Sequence, residues 1–258
     1  MHASQLFDLS GEVALVTGAS SGLGERFAEV LAAHGASVVV AARRADRLAS
    51  LVERITDAGG KARAVELDVS DQGAIAGAFD AAETAFGTVT ILVNNAGVAG
   101  NKAVFDMTPE DWRTVMSVNL DGVWFAAQEA ARRMKDAGRQ GNIINIASVL
   151  SFRAARTVVA YAASKGAVLQ LTRNLALEFA RYNIRVNGIA PGYILTEINK
   201  EYFESDDSAV MIKRIPQRRI GDVSDLDGTL LLLASNKASG YMTGSTVVVD
   251  GGHLLPVD

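Results

Sequence analysis

The stretch VALVTGASSGLG, from Val13 to Gly24, decides the fold of this chain. A short apolar run, Val13–Thr17, leads into a turn with three glycines, and an amphipathic period follows over Leu23–His34. Glycines in such a turn permit a tight bend and a close approach of the backbone to a ligand. The helix N-terminus beyond them favours an anionic phosphate group. The stretch therefore predicts a strand, a phosphate-binding turn and a helix.

The same alternation of apolar runs and helical periods continues along the chain, and it predicts a parallel sheet covered by helices on both faces. We expect one domain over residues 1–258 with an α/β, Rossmann-like, doubly wound fold and a mostly seven-stranded parallel sheet. An irregular excursion at about 193–216 has the character of a binding element. The predicted strands are Val13–Thr17, Val38–Ala42, Ala64–Leu67, Ile91–Val93, Asn142–Ile146, Val186–Ile189 and Thr246–Val249. The predicted helices are Leu23–His34, Arg47–Ala58, Gln72–Phe86, Pro109–Asp136, Val159–Tyr182 and Ser224–Leu233.

Composition excludes several classes of protein. The chain has no cysteine, which excludes a disulfide scaffold and a thiolate zinc site, and its three histidines are too scattered to indicate a metal site. A net charge of −4 argues against a nucleic-acid partner. No apolar run approaches the roughly 18 residues that would span a bilayer. We expect a cytoplasmic protein that binds a small molecule, without a metal.

The glycine turn also fits a rival pattern. Gly18–Gly22 can be read as Gly-x-Ser-x-Gly, the nucleophile elbow of α/β-hydrolases, with His253 and one of Asp222, Asp225 or Asp227 as partners. The turn follows the first strand, however, so no earlier strand and loop can supply the second oxyanion donor. A nucleotide-binding turn therefore explains the stretch better than a hydrolase does.

The end of the second strand carries a pair of arginines, Arg43 and Arg44, and no carboxylate occurs before Asp46. In dinucleotide folds an acid at this place binds the ribose hydroxyls, whereas an arginine accommodates the phosphate of NADP. One guanidinium–phosphate bond contributes about 1.5–3 kcal/mol, roughly a ten- to hundredfold preference. NADP(H) is therefore the expected cofactor and NAD(H) a possible one, unless the arginines merely begin a solvated helix.

Tyr161 and Lys165 lie four residues apart in a predicted helix, so their side chains share one face, and Ser148 lies upstream after a predicted strand. An ammonium group beside a phenol favours the phenolate and lowers the pKa of the phenol. We therefore expect Lys165 to lower the pKa of Tyr161 and to fit it for general acid–base catalysis.

Together these segments resemble the short-chain dehydrogenases/reductases over nearly the whole chain, from about Leu9 to Gly252. Each motif is modest alone, but all of them occur in the order of that family. The matching segments are Thr17–Gly24, Asp68-Val69, Asn94–Gly97, Asn119, Ser148, Tyr161 with Lys165, and Pro191-Gly192.

The resemblance implies a catalytic group of four residues. Tyr161 would act as the acid in carbonyl reduction and the base in alcohol oxidation, Ser148 would bind the substrate oxygen, and Lys165 would also hold the nicotinamide ribose. Asn119 would anchor a water in a proton relay. The expected cofactor-binding residues are Gly18, Ser20, Ser21, Gly22, Leu23, Gly24, Arg43, Arg44, Asp68, Val69, Asn95, Ala96, Gly97, Tyr161, Lys165, Pro191, Gly192, Ile194 and Thr196. The expected substrate contacts are Ser148, Leu150, Tyr161 and Tyr193.

The resemblance leaves the precise function open. The favoured activity is hydride transfer between NADP(H) and an apolar ketone or secondary alcohol in a homotetramer or homodimer. One alternative is a 3-oxoacyl carrier-protein reductase, although Leu177 stands where such enzymes would carry a carrier-docking arginine. Another is a catalytically silent NADP-binding protein, which the intact catalytic group disfavours.

Overall fold

The computed structural model describes residues 3–197, 203 and 208–255, and its centre is a single parallel sheet. The strands lie in the order β3-β2-β1-β4-β5-β6-β7, and every neighbouring pair is parallel. This confirms the predicted doubly wound α/β fold. The strands are β1 (Val13–Thr17), β2 (Ser37–Ala42), β3 (Lys61–Glu66), β4 (Ile91–Asn94), β5 (Gly141–Ile146), β6 (Ile184–Pro191) and β7 (Thr246–Val249).

Helices follow the strands and cover both faces of the sheet. They are α1 (Ala3–Leu6), α2 (Gly22–Ala33), α3 (Ala45–Asp57), α4 (Gln72–Phe86), α5 (Pro109–Met116), α6 (Gly122–Asp136), α7 (Val159–Phe179), α8 (Ser208–Ile212), α9 (Asp227–Ala234) and α10 (Asn236–Ser239). Short 3-10 turns occupy Val104–Asp106, Val149–Ser151, Ala180–Tyr182 and Val223–Leu226. Among the described helices, none has the length and apolar character needed to cross a membrane.

The core divides into two main apolar clusters, one on each face of the sheet. Phe27 and Leu31 of α2 pack with α3 and α9 on one face. On the other face, Phe79 of α4 and Met134 of α6 pack with Leu175 of α7. The central strands β1, β4, β5 and β6 are buried along their whole length, which suits the mainly apolar runs of β1 and β4. β5 and β6 also bury polar side chains, among them Asn145 and Arg185.

Two of the differences from the sequence prediction have clear physical reasons. Strand β3 begins at Lys61 rather than Ala64, because an edge strand alternates exposed charged residues such as Lys61 and Arg63 with apolar ones. The predicted helix Pro109–Asp136 is interrupted by a π-helical turn at Ser117–Asp121. An apolar period alone does not reveal the extra residue that such a turn accommodates. The excursion predicted at about 193–216 lies partly outside the described residues.

The order of the strands reverses between β1 and β4. In open α/β sheets the ligand crevice lies at such a switch point, outside the carboxyl ends of the strands. Thr17 ends β1 and Asn94 ends β4. The glycine turn and the residues from Asn95 onward therefore meet at this crevice.

Candidate active site

The glycine turn is held to the end of β4 by Thr17 and Asn95. The Thr17 hydroxyl accepts hydrogen bonds from the backbone N–H of Asn95 at 3.0 Å and of Ala96 at 3.1 Å. The Asn95 amide donates to the carbonyl oxygens of Thr17 and Gly18 at 3.0 and 3.2 Å. A Cβ at Gly24 would overlap the Asn95 side chain and the Gly18 carbonyl. A Cβ at Gly18 would likewise overlap the Ala96 backbone, so two of the three glycines serve close packing within the protein.

The N-terminus of α2 is suited to bind an anion. Its N-cap, Ser21, makes no side-chain capping bond, so the first N–H groups of the helix lack that partner. The neighbouring guanidinium of Arg44 donates to the Ser20 hydroxyl at 2.9 and 3.1 Å and to the Ser21 hydroxyl at 2.7 Å. An uncapped helix start beside an arginine with neutral partners fits the phosphates of a dinucleotide.

The predicted adenosine side lies beyond β3. Arg43 is mostly exposed, and its Nη1 is 3.9 Å from the Asp68 carboxylate. Hydrogen bonds from Ser70 hold the pKa of Asp68 below its ordinary value, and the charge of Arg43 contributes less. Val69 is buried and packs against Gly122 at the start of α6. Sequence spacing favoured Arg43 as the phosphate ligand, but Arg44 is the arginine that contacts the glycine turn.

Tyr161 and Ser148 come together from α7 and from the residues after β5. Burial raises the pKa of Tyr161, and a hydrogen bond from the Ser148 side chain lowers it less strongly. The Ser148 hydroxyl also accepts a hydrogen bond from the backbone N–H of Leu150 at 3.1 Å, which fixes its position. In the cofactor-free protein desolvation outweighs this stabilisation of the phenolate, so the pKa of Tyr161 lies above its ordinary value, and the lowering expected from Lys165 stays a prediction.

Lys165 lies one helical turn beyond Tyr161 and is almost fully buried, with 4% of its surface exposed. Its Nζ donates to the carbonyl oxygen of Ile146 at 2.7 Å and lies 5.7 Å from the centre of the Tyr161 ring. Burial lowers the pKa of Lys165 to about 8. The ammonium group is thus directed toward the end of β5, beside the phenol that it was expected to influence.

Asn119 lies within the π-helical turn and is fully buried. Its side-chain oxygen accepts from the N–H of Val98 at 2.8 Å, and its amide donates to the Val98 carbonyl at 3.0 Å. The same amide donates to the Ser164 hydroxyl at 3.2 Å. A Cβ at Gly97 would lie 3.4 Å from the Asn119 side-chain oxygen and 3.7 Å from Lys165 Nζ. The loop after β4 is therefore fixed directly beside the lysine.

Ser164 is a member of this cluster that the sequence reasoning missed. It is fully buried, and its hydroxyl donates to the Tyr161 carbonyl at 2.7 Å while accepting from Asn119. It thereby ties the π-helical turn to the start of α7. Its place directly before Lys165 was the available signal, but serine is too common on helix faces for that signal to stand out.

The residues after β6 complete the crevice. Pro191 ends the strand, and the half-buried Tyr193 packs edge-on against His253 at 5.3 Å between ring centres. Ile194 is buried in the core, and its side chain packs on Gly221. A Cβ at Gly22 would lie 3.3 Å from Thr196 Cγ2.

The hydrolase arrangement does not form. Ser20 accepts its hydrogen bonds from Arg44, whereas the His253 ring packs against Tyr193. The three candidate acids have other partners: Asp222 caps Ser224, Asp225 pairs with Arg219, and Asp227 pairs with Arg26. Within the described ranges, no group of histidine and acidic residues is placed to hold a metal ion.

The fold and this cluster define a class, the nucleotide-dependent oxidoreductases with a Rossmann-type sheet. A family model described as enoyl-(acyl carrier protein) reductase matches residues 18–253. The chain belongs to the short-chain dehydrogenase/reductase family. It is an NAD(P)-dependent oxidoreductase of the type that acts on CH–OH groups.

Three relatives illustrate the similarity. The chain is 39% identical over 253 residues to gluconate 5-dehydrogenase of Gluconobacter oxydans, covering 98% of each protein. It is 40% identical to the NADP-dependent (R)-specific alcohol dehydrogenase of Lentilactobacillus kefiri, covering 95% of this chain and 97% of that protein. A gluconate 5-dehydrogenase structure from Burkholderia cenocepacia, in complex with NADP and tartrate, is 41% identical with a TM-score of 0.94, covering 99% of this chain and 100% of that one.

Proposed function

We propose that this chain transfers hydride between NADP(H) and a ketone or secondary alcohol, with Tyr161 as the proton donor and acceptor. The observation that carries the proposal is the convergence of Tyr161, Ser148 and Lys165 at the carboxyl ends of the strands. Ser148 hydrogen-bonds to Tyr161, and Lys165 Nζ lies one turn away against the Ile146 carbonyl. These groups can bind a carbonyl oxygen and protonate it.

Each residue has a distinct proposed role. In carbonyl reduction the Tyr161 phenol donates its proton to the substrate oxygen, and in alcohol oxidation it takes the proton back. The Ser148 hydroxyl hydrogen-bonds to the same oxygen and stabilises its developing charge. Lys165, when charged, favours the phenolate and holds the cofactor ribose, while Asn119 positions the relay that returns protons to the site. A bound nicotinamide supplies the hydride chemistry.

NADP(H) is the proposed cofactor, with NAD(H) as the weaker one. Arg44 is held beside the uncapped start of α2 by Ser20 and Ser21, which suits a phosphate group. Two gluconate or deoxygluconate dehydrogenase structures that resemble this chain hold NADP. The homotetramer or homodimer, the single-domain organisation and the cytoplasmic location stay predictions.

The substrate class is open between polar and apolar alcohols. The relatives are named for gluconate, for an (R)-specific alcohol activity and for a 3β-hydroxysteroid. A carrier-bound acyl substrate has less support, because Leu177 exposes 79% of its surface and offers no charge to an acidic carrier. We therefore propose a free small-molecule substrate.

Tyr161→Phe tests the proposal, with Tyr182→Phe as the control because it removes a phenolic hydroxyl at the far end of the same helical stretch. NADPH consumption is followed by absorbance with a panel of ketones. The Tyr161 variant should lose about 10²–10⁴-fold in kcat, since a general acid contributes that much. Binding of NADPH, followed by its fluorescence, should be kept in both variants. Full activity of Tyr161→Phe, or a wild type that binds NADPH but reduces no ketone, would contradict the proposal.

A further inference from the structure

The segment after β6 reaches across the glycine turn and touches the start of α3. Thr196 packs against Gly22 of the turn, as described above. One residue further on, the Glu197 carboxylate accepts a hydrogen bond from Arg47 Nη1 at 2.6 Å, in an ion pair between residues 150 positions apart. The crossing segment is therefore joined to both sides of the crevice where the phosphates of a dinucleotide would lie.

The start of α3 and the residues just before it carry three arginines with different partners. Arg43 is 3.9 Å from the Asp68 carboxylate, and Arg44 is held by serine hydroxyls, which are neutral. Arg47 has the full ion pair with Glu197. The hydrogen bond from Arg47 lowers the pKa of Glu197, and the charge of Arg47 and, to a smaller extent, that of Arg44 act in the same direction. The Glu197 carboxylate therefore lies within the electrostatic field of two arginines of this cluster.

We infer that Glu197 is a specificity-determining residue whose carboxylate competes with the ribose phosphate of NADP(H) for these arginines. The inference rests on the proposed function, which assigns the arginine cluster to that phosphate. A phosphate that binds in the cluster is repelled by the negative charge of Glu197, or it must break the ion pair between Glu197 and Arg47 to bind that arginine. NAD(H) carries a hydroxyl at that position and meets neither cost. Glu197 thus narrows the preference for NADP(H) over NAD(H).

A different role for the same contact makes the opposite prediction. If the ion pair only held the Thr196 segment against the glycine turn, its loss would weaken the binding of NADPH and of NADH equally. Glu197→Gln separates the two roles, because glutamine keeps the size and a hydrogen-bond acceptor but removes the charge. Glu53→Gln is the matched control, since Glu53 is an exposed glutamate further along α3.

The measurement is the dissociation constant of each purified variant for NADPH, NADH and adenosine 2′,5′-bisphosphate, by nucleotide fluorescence and calorimetry. Glu197→Gln should bind NADPH and the bisphosphate roughly two- to fivefold more tightly, the range of a screened surface interaction, with NADH nearly unchanged. The gain should shrink at high salt. Arg47→Leu, which removes one cation of the cluster, should weaken the binding of NADPH more than the binding of NADH.

The outcomes separate this inference from the proposed function. Equal changes for NADPH and NADH, or weaker binding of NADPH by Glu197→Gln, would overturn the role of Glu197 and leave the proposed cofactor in place. A wild-type protein that binds neither NADPH nor the bisphosphate would overturn the cofactor preference, and the inference with it. An effect of Glu53→Gln as large as that of Glu197→Gln would reduce the result to general surface charge and would also overturn the inference.

Discussion

Lys165→Met measures how strongly the protein interior destabilises the ammonium group of Lys165. The side chain is buried, and its Nζ donates to the Ile146 carbonyl at 2.7 Å. No carboxylate within the described part of the chain forms an ion pair with it. Burial therefore lowers the pKa of Lys165 from 10.5 to about 8. Methionine has a similar length and no charge, so the variant removes the titration and keeps most of the packing.

The size and sign of the effect follow from this difference in pKa. Between about pH 8 and pH 10.5 the unfolded chain holds a proton on Lys165 that the folded protein has released. The free energy of unfolding consequently rises with pH through this window. The full penalty below the window is about 3 kcal/mol, from a lowering of the pKa from 10.5 to about 8 at about 1.4 kcal/mol for each pKa unit. Most of this penalty, about 2–3 kcal/mol, should be relieved between pH 7 and pH 10.

Urea unfolding of the cofactor-free wild type and of Lys165→Met, at pH 7 and at pH 10, gives the required difference. Titrating groups away from Lys165 are common to both proteins and cancel, and repeating the pair in a Tyr161→Phe background removes the neighbouring phenol from the comparison. The Ile146 carbonyl loses a donor in the variant, which costs about 1–3 kcal/mol at both pH values and does not alter the change with pH. Lys61→Met, at an exposed position of β3, is the control and should show no such change. The difference in unfolding free energy between wild type and Lys165→Met should change between pH 7 and pH 10. A change of less than about 0.5 kcal/mol would refute the idea that the ammonium group is strongly destabilised.

Three further predictions concern the crevice. Arg44→Ala should raise the KM for NADPH roughly ten- to hundredfold and that for NADH little, which steady-state kinetics with both cofactors will test. Gly24→Ala should lower the free energy of unfolding, measured in urea, by about 1–3 kcal/mol, because the new Cβ would overlap Asn95. Gly77→Ala is the control. Its Cβ would enter open space on α4, so this variant should raise the free energy of unfolding by about 0.5–1 kcal/mol. Ser148→Ala should lower kcat by about 10²–10³-fold. The variant also loses the hydrogen bond that lowers the pKa of Tyr161, so the pH profile of alcohol oxidation should shift to higher pH.

The sequence was sufficient to predict the sheet because each central strand contains a short apolar run between turn or helix signals. β1 and β7 have the predicted ends, and β4 and β5 differ by one residue from the prediction. The start of the edge strand β3 was predicted three residues too late, because the charged residues Lys61 and Arg63 interrupt the apolar pattern there. The positions of Ser148 and Tyr161 relative to their strand and helix could likewise be predicted, because parallel strands bring their carboxyl ends to one edge.

The electrostatics of the site could not be predicted from spacing. Residues four apart on a helix suggested that Lys165 would control the pKa of Tyr161, but burial acts on both groups and dominates in the cofactor-free protein. Spacing also could not distinguish Arg43 from Arg44, since that depends on which guanidinium faces Ser20 and Ser21. Burial and side-chain direction are tertiary properties, which one sequence does not encode locally.

The π-helical turn at Ser117–Asp121 changes the phase of the helical surface that contains it. One additional residue in a turn rotates everything before it by about 100° relative to everything after it. A helical wheel drawn from Pro109 through Asp136 therefore assigns one of the two halves to the wrong side. Deleting a single residue here would restore a regular helix at little cost to its backbone bonds. The same deletion would turn either α5 or α6 away from its present neighbours, so the length of this turn is constrained as well as the identity of Asn119 within it.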